Sequence, residues 1–120
     1  MILAATPMVV LSLITAPPAP TPAVSGFMNS ERLIDHCRPN AAADASMADV
    51  CIGYIAGSVD QVLSRQAELP PNKRRVCLAP TTTLGEVQRA VLANLEDYED
   101  QPNAAAAVII ERSLMAAFPC

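Results

Sequence analysis

Tryptophan is absent from this sequence, and only four side chains are aromatic: Phe27, Tyr54, Tyr98 and Phe118. That scarcity argues against the stacking platforms on which proteins bind bases or sugars. Histidine occurs once, as His36. Its neighbour Cys37 would project about 100° away around a helix, so the two do not form a nucleophile–base pair. The four glycines are scattered, which leaves no glycine-rich phosphate loop. Lysine and arginine number 8 against 12 acids, for a net charge of −4, so the chain lacks the basic face that nucleic acid requires. The Lys73-Arg74-Arg75 run is a local exception and reads as a solvated loop. No C-x-x-C pair of the kind that holds zinc is present. These absences point away from an enzyme, a cofactor, a metal centre and a nucleic-acid partner.

Charge is also missing from the whole stretch Met1–Ala23. A mostly apolar run from Met1 to Ile14 gives way to a segment with Pro17, Pro18, Pro20 and Pro22. It is too short for a membrane span, which needs about 20 apolar residues, and its prolines would break a helix. It matches the hydrophobic and cleavage regions of a secretory signal peptide, with cleavage expected after Ala23, although Met1-Ile2-Leu3 lacks an opening Lys or Arg. The alternative is a disordered apolar, proline-rich leader. Residues 24–120 then form one domain, with no membrane segment once the signal is removed.

All four cysteines, Cys37, Cys51, Cys77 and Cys120, follow that leader. An even number in a short exported chain reads as a disulfide framework, which a core this small needs. Helical periodicity appears in four segments, and no segment alternates like a strand. The first spans about Gly26 to Cys37, capped by Ser25, with Phe27, Ser30, Ile34 and Cys37 on one face and Pro39 at its end. The second spans about Asp44 to Glu68, with Asp44 as its cap and Pro70-Pro71 as its stop. Ala48, Cys51, Ile55, Val59, Val62 and Gln66 form its stripe, widened by Ile52 and Leu63.

Gly53 and Gly57 share a face of that second helix, and each costs about 1 kcal/mol against alanine. Close approach of another helix would offset this, and the same face suits a homodimer equally well. The third helix opens on a capping box, Thr83-Leu84-Gly85-Glu86, followed by an apolar stripe of Leu84, Val87, Val91, Leu95 and Tyr98. The fourth spans about Asn103 to Phe118, capped by Asn103, with Ala107, Ile110, Leu114 and Phe118 aligned. The fold class is therefore all-α: a small four-helix bundle, orthogonal or up-down, with two disulfides.

A short third connection makes the last two helices antiparallel, which brings Cys120 towards Cys77 and leaves Cys37 with Cys51. Four cysteines allow three pairings, however, and Cys51 with Cys77 plus Cys37 with Cys120 stays open.

Several phrases in register carry a family resemblance. Ser25-Gly26 leads into a helix ending at Cys37; Cys51-Ile52-Gly53-Tyr54-Ile55-Ala56-Gly57 is followed by Asp60. Cys77-Leu78-Ala79-Pro80 precedes the third helix, and Ala116-Ala117-Phe118-Pro119-Cys120 closes the chain. Together they resemble the Tai-like type VI secretion amidase immunity proteins over nearly all of residues 24–120. The resemblance implies a periplasmic, helical, disulfide-containing inhibitor that blocks a secreted peptidoglycan amidase and catalyses nothing itself. It also implies a protruding loop between the last two helices, here from Glu96 to Asn103. Asp97, Glu99, Asp100 and Gln101 would be its contact residues, with Pro102 stiffening the loop. The loop is more acidic than the family pattern. Two other readings remain: an acid-stress periplasmic chaperone, and a domain of this fold with no amidase partner.

Overall fold

The computed structural model describes residue 2 and residues 9–17, 26–38 and 45–120. Four α-helices follow one another: α1, Ser30–Cys37; α2, Ala45–Ala67; α3, Leu84–Leu95; and α4, Ala106–Ala117. Short 3-10 turns, Pro71–Lys73 and Glu96–Tyr98, lie before and after α3. No strand forms among the described residues, only two isolated antiparallel bridges, Asn29 with Ala105 and Val76 with Pro119. The chain is an all-α, disulfide-linked bundle, as its periodicity predicts.

The core is aliphatic. Ile55 and Val62 of α2, Val91 of α3 and Ile110 and Leu114 of α4 are each at most 2 % exposed. No aromatic ring is fully buried, and Phe27 is fully exposed. Leu33, at 0 %, is the side chain that seats α1. The buried polar atoms are partnered where α3 crosses α4: Asn94 Nδ2 donates to Ser113 Oγ at 2.9 Å, and that hydroxyl donates to the Ile109 carbonyl at 2.8 Å. Bonding within the buried layer avoids the desolvation penalty of an orphaned hydroxyl.

Several boundaries differ from the sequence reading. α1 begins four residues late, because Asn29 and not Ser25 caps it: Asn29 Oδ1 accepts the Arg32 amide at 2.9 Å. Phe27 consequently lies outside the helix, and Leu33 takes the buried position. Ser25 and Asp44 lie outside the described residues, as do Ala23 and Pro39. On α2 the stripe Cys51, Ile55, Val59 and Val62 is buried, but Ile52 is 40 % exposed.

Gly53 and Gly57 are exposed, and a Cβ built on either meets nothing within 4 Å. The close helix approach expected there does not occur among the described residues. Leu84 points outward as the first residue of α3. Asn103 does not cap α4; Ala105 occupies that position without a side-chain bond, and Ala106, not Ala107, faces the core. One of the free amides of the first turn of α4 is taken by backbone, since Ala106 N–H donates to the Met28 carbonyl at 3.1 Å.

The capping box forms as read: Glu86 N–H donates to Thr83 Oγ1 at 3.2 Å, and Thr83 N–H to Glu86 Oε2 at 2.7 Å. The basic run is put to structural use. Arg74 Nε donates to the Leu69 carbonyl and one terminal nitrogen to that of Ala67, closing the C-terminal end of α2. Gln66 Oε1 accepts the Arg75 and Val76 amides, at 2.7 and 3.3 Å.

Of the pairings left open, Cys37–Cys51 and Cys77–Cys120 are the ones made. The second sits beside the Val76–Pro119 bridge, where Cys77 N–H donates to the Phe118 carbonyl at 2.9 Å. It closes a sequence separation of 43 residues, the first only 14.

Two outcomes follow for stability. Replacing Cys77 and Cys120 together by alanine should lower unfolding free energy by about 4 kcal/mol, and replacing Cys37 and Cys51 by about 3 kcal/mol, in denaturant titrations. The hydrogen bonds from Thr83, backbone first, hold the Glu86 carboxyl below the ordinary glutamate range. A folded value below the unfolded one gives stability that is complete above the unfolded value and lost as pH falls through the folded one. The stability difference between the native chain and Glu86→Ala should therefore shrink steadily on acidification below the ordinary carboxylate range, and stay flat from there to neutrality.

Candidate functional site

α1 is only eight residues long, too short to persist alone in water. Its first turn is tied to the segment that links α3 to α4. Ser30 N–H donates to the Ala104 carbonyl at 2.8 Å and Glu31 N–H to that of Pro102 at 3.2 Å. The buried Ser30 hydroxyl donates to the Gln101 carbonyl. Its last turn is tied to α2 by the Cys37–Cys51 disulfide.

Those ties set the shape of the connection. Gln101 N–H donates to the Tyr98 carbonyl at 2.9 Å and Ala104 N–H to that of Gln101 at 3.1 Å, so two tight turns succeed one another. Asp97, Glu99, Asp100 and Gln101 are all exposed. The backbone of the connection is thus fixed while these four side chains stand in solvent. The α-helix stops at Leu95, so the acids occupy the following 3-10 turn and loop. Tyr98 is half-buried among them, its hydroxyl accepting from Arg112 at 3.3 Å.

The tertiary structure adds residues that the sequence reading did not include. Two adjoining cavities, about 290 and 270 Å³, lie between α1 and the end of α3. Glu31, Asp35 and Arg38 of the α1 region and Tyr98, Glu99 and Pro102 line the first, together with Ile34. Ile34, Arg38 and Glu99 recur in the second, joined by Cys37, Leu92, Leu95 and Glu96. A continuous groove results, floored by aliphatic carbon and walled by carboxylates. The helical spacing of Glu31 and Asp35, four apart, was the available signal, but nothing local said which element that face would meet.

Six of the twelve acids gather here, Glu31 and Asp35 on α1 with Glu96, Asp97, Glu99 and Asp100 beyond α3. His36 is half-buried in the last turn of α1, and its Nδ1 is buried without a partner among the described residues. Among the described residues there is also no group of His, Cys, Asp or Glu that could hold a metal ion, and no helix long and apolar enough to cross a membrane.

Fold and surface together define a small disulfide-linked helical domain with an exposed acidic edge. Residues 29–120 match the family model of the Rap1a immunity proteins, and the chain belongs to that family, one of type VI secretion immunity proteins. No curated protein and no solved structure matches it.

If the Ser30 hydroxyl is what orders the connection, Ser30→Ala should cost about 1 kcal/mol. Amide hydrogen exchange should then quicken at Ser30, Glu31 and Ala104 more than at Val91 or Ile110.

Proposed function

We propose that this chain is a periplasmic immunity protein that blocks the active cleft of a peptidoglycan amidase delivered by a type VI secretion system. Membership of an immunity family carries the reading. The Tai-like resemblance supplies the amidase, and the uncharged leader supplies the route of export, residues 1–23 acting as a signal peptide. Two disulfides suit an oxidising compartment such as the periplasm.

The contact surface is the connection after α3, with Asp97, Glu99, Asp100 and Gln101 presented to the enzyme. Three physical features support that choice. Acids at the negative end of a helix dipole are unfavourable for folding, so their concentration there favours a role outside the fold. Backbone bonding from Ser30 and Glu31 holds the connection in place, which lowers the entropy lost on binding. Acidic side chains in the open also speed encounter with a basic surface.

Inhibition follows from occupancy. An immunity protein needs no chemistry of its own; it needs a surface that fills the cleft more tightly than the substrate does. The reading is tested with residues 24–120 and a purified amidase effector encoded beside them. Stoichiometric protein should abolish hydrolysis of peptidoglycan. The combined change Asp97→Asn, Glu99→Gln, Asp100→Asn and Gln101→Ala should weaken the complex by about 100-fold in calorimetry while leaving the helical spectrum unchanged. Full amidase activity at a large excess of the native chain would refute the proposal.

A further inference from the structure

The groove between α1 and the end of α3 has a composition that selects an occupant. Its walls carry four carboxylates, Glu31, Asp35, Glu96 and Glu99, against one guanidinium, Arg38. Among the described residues, Glu31, Glu96 and Glu99 have no side-chain hydrogen-bond or ion-pair partner. Among the described residues Arg38 pairs with Asp35 alone, at 3.6 Å, with both side chains more than half exposed, an arrangement worth little in water. Acidic capacity in the groove is therefore largely unspent.

Beneath these walls the floor is apolar. Ile34, Leu92 and the half-buried Tyr98 supply it, and Leu95 closes it from below. An arginine or lysine side chain matches both features at once. Its methylene stem covers carbon while its cation meets carboxylates, and the guanidinium of arginine adds planar, forked donors. The two adjoining cavities, about 290 and 270 Å³, are each roomy enough to admit such a side chain.

We infer that this groove is a receptor for a cationic side chain, arginine in preference to lysine, flanked by apolar residues on a partner protein. The inference rests on the immunity reading for the partner's identity, but not for the chemistry of the groove. It extends the contact surface from the connection to α1, so that recognition uses two elements held in register by the Cys37–Cys51 disulfide, whose Cys37 borders the groove. On binding, the partner's cation replaces Arg38 beside Asp35 and Arg38 swings into solvent.

The test needs no amidase. Acetyl-Leu-Arg-Leu-amide is titrated into the isotope-labelled chain at about 0.1 M salt, where screening acts over about 10 Å, with the citrulline peptide as the uncharged counterpart. Saturable amide shifts should appear at Glu31, Ile34, Asp35, Glu96 and Glu99 with the arginine peptide, and weaken at least about tenfold with citrulline. The lysine peptide should bind more weakly than the arginine peptide. Glu31→Gln, Asp35→Asn, Glu96→Gln and Glu99→Gln combined should lower affinity about tenfold or more. Neutralising Asp49, Asp60 and Glu68, outside the groove, should leave it unchanged and controls for net charge. Equal binding of the citrulline peptide, shifts spread over acids outside the groove, or no saturation would overturn the inference. Because the readout is local, loss of the groove and loss of amidase inhibition are separate results.

Discussion

The disulfide between Cys37 and Cys51 fixes the last turn of α1 against α2, and backbone pairing of Asn29 with Ala105 fixes its first. An isolated helix of eight residues would not form, because nucleation costs more than so few bonds return. α1 exists as a helix because it is held at both ends. Leu33 then fills the core from a position that a free segment could not occupy. The groove, the order of the connection after α3 and the placement of Glu31 and Asp35 all depend on that restraint.

Tertiary closure follows the same plan at the opposite end of the chain. The Val76–Pro119 bridge and the Cys77–Cys120 bond tie the last residues to the segment ahead of α3. In each case a covalent link spares a small aliphatic core from doing all the work of ordering the backbone. Neither link lies in the exposed connection between α3 and α4. That segment is ordered instead by hydrogen bonds from α1, which leaves its acidic side chains exposed.

Rigidity and charge have complementary roles in such a surface. Fixed backbone reduces what is lost when a complex forms, and carboxylates without internal partners keep their full attraction for a cation. The cost appears in the fold: four acids follow the negative end of α3 where basic residues would be more stabilising. An immunity protein reading makes sense of that cost, since folding and binding would place opposite demands on those positions.

Much of the fold was legible in the residues themselves. The α2 stripe of Cys51, Ile55, Val59 and Val62 and the Thr83–Glu86 capping box are short-range patterns, and both appear where the sequence puts them. Helical spacing and cap chemistry depend on neighbours within four residues, so a single chain displays them openly. The starts of α1 and α4 were misread for a related reason. Ser25 and Asn103 looked like caps, yet Asn29 caps α1 and Ala105 stands at the cap of α4 without a side-chain bond, the first amide of that helix being taken by the Met28 carbonyl, a bond between segments far apart in sequence. Likewise, only the family resemblance pointed to Asp97, Glu99, Asp100 and Gln101, and the pairing of α1 with that connection alone assembled Glu31, Asp35, Glu96 and Glu99 into one groove. Local geometry is encoded residue by residue; which surfaces meet is decided only when hydrophobic burial and cross-links choose among chain paths of similar local energy.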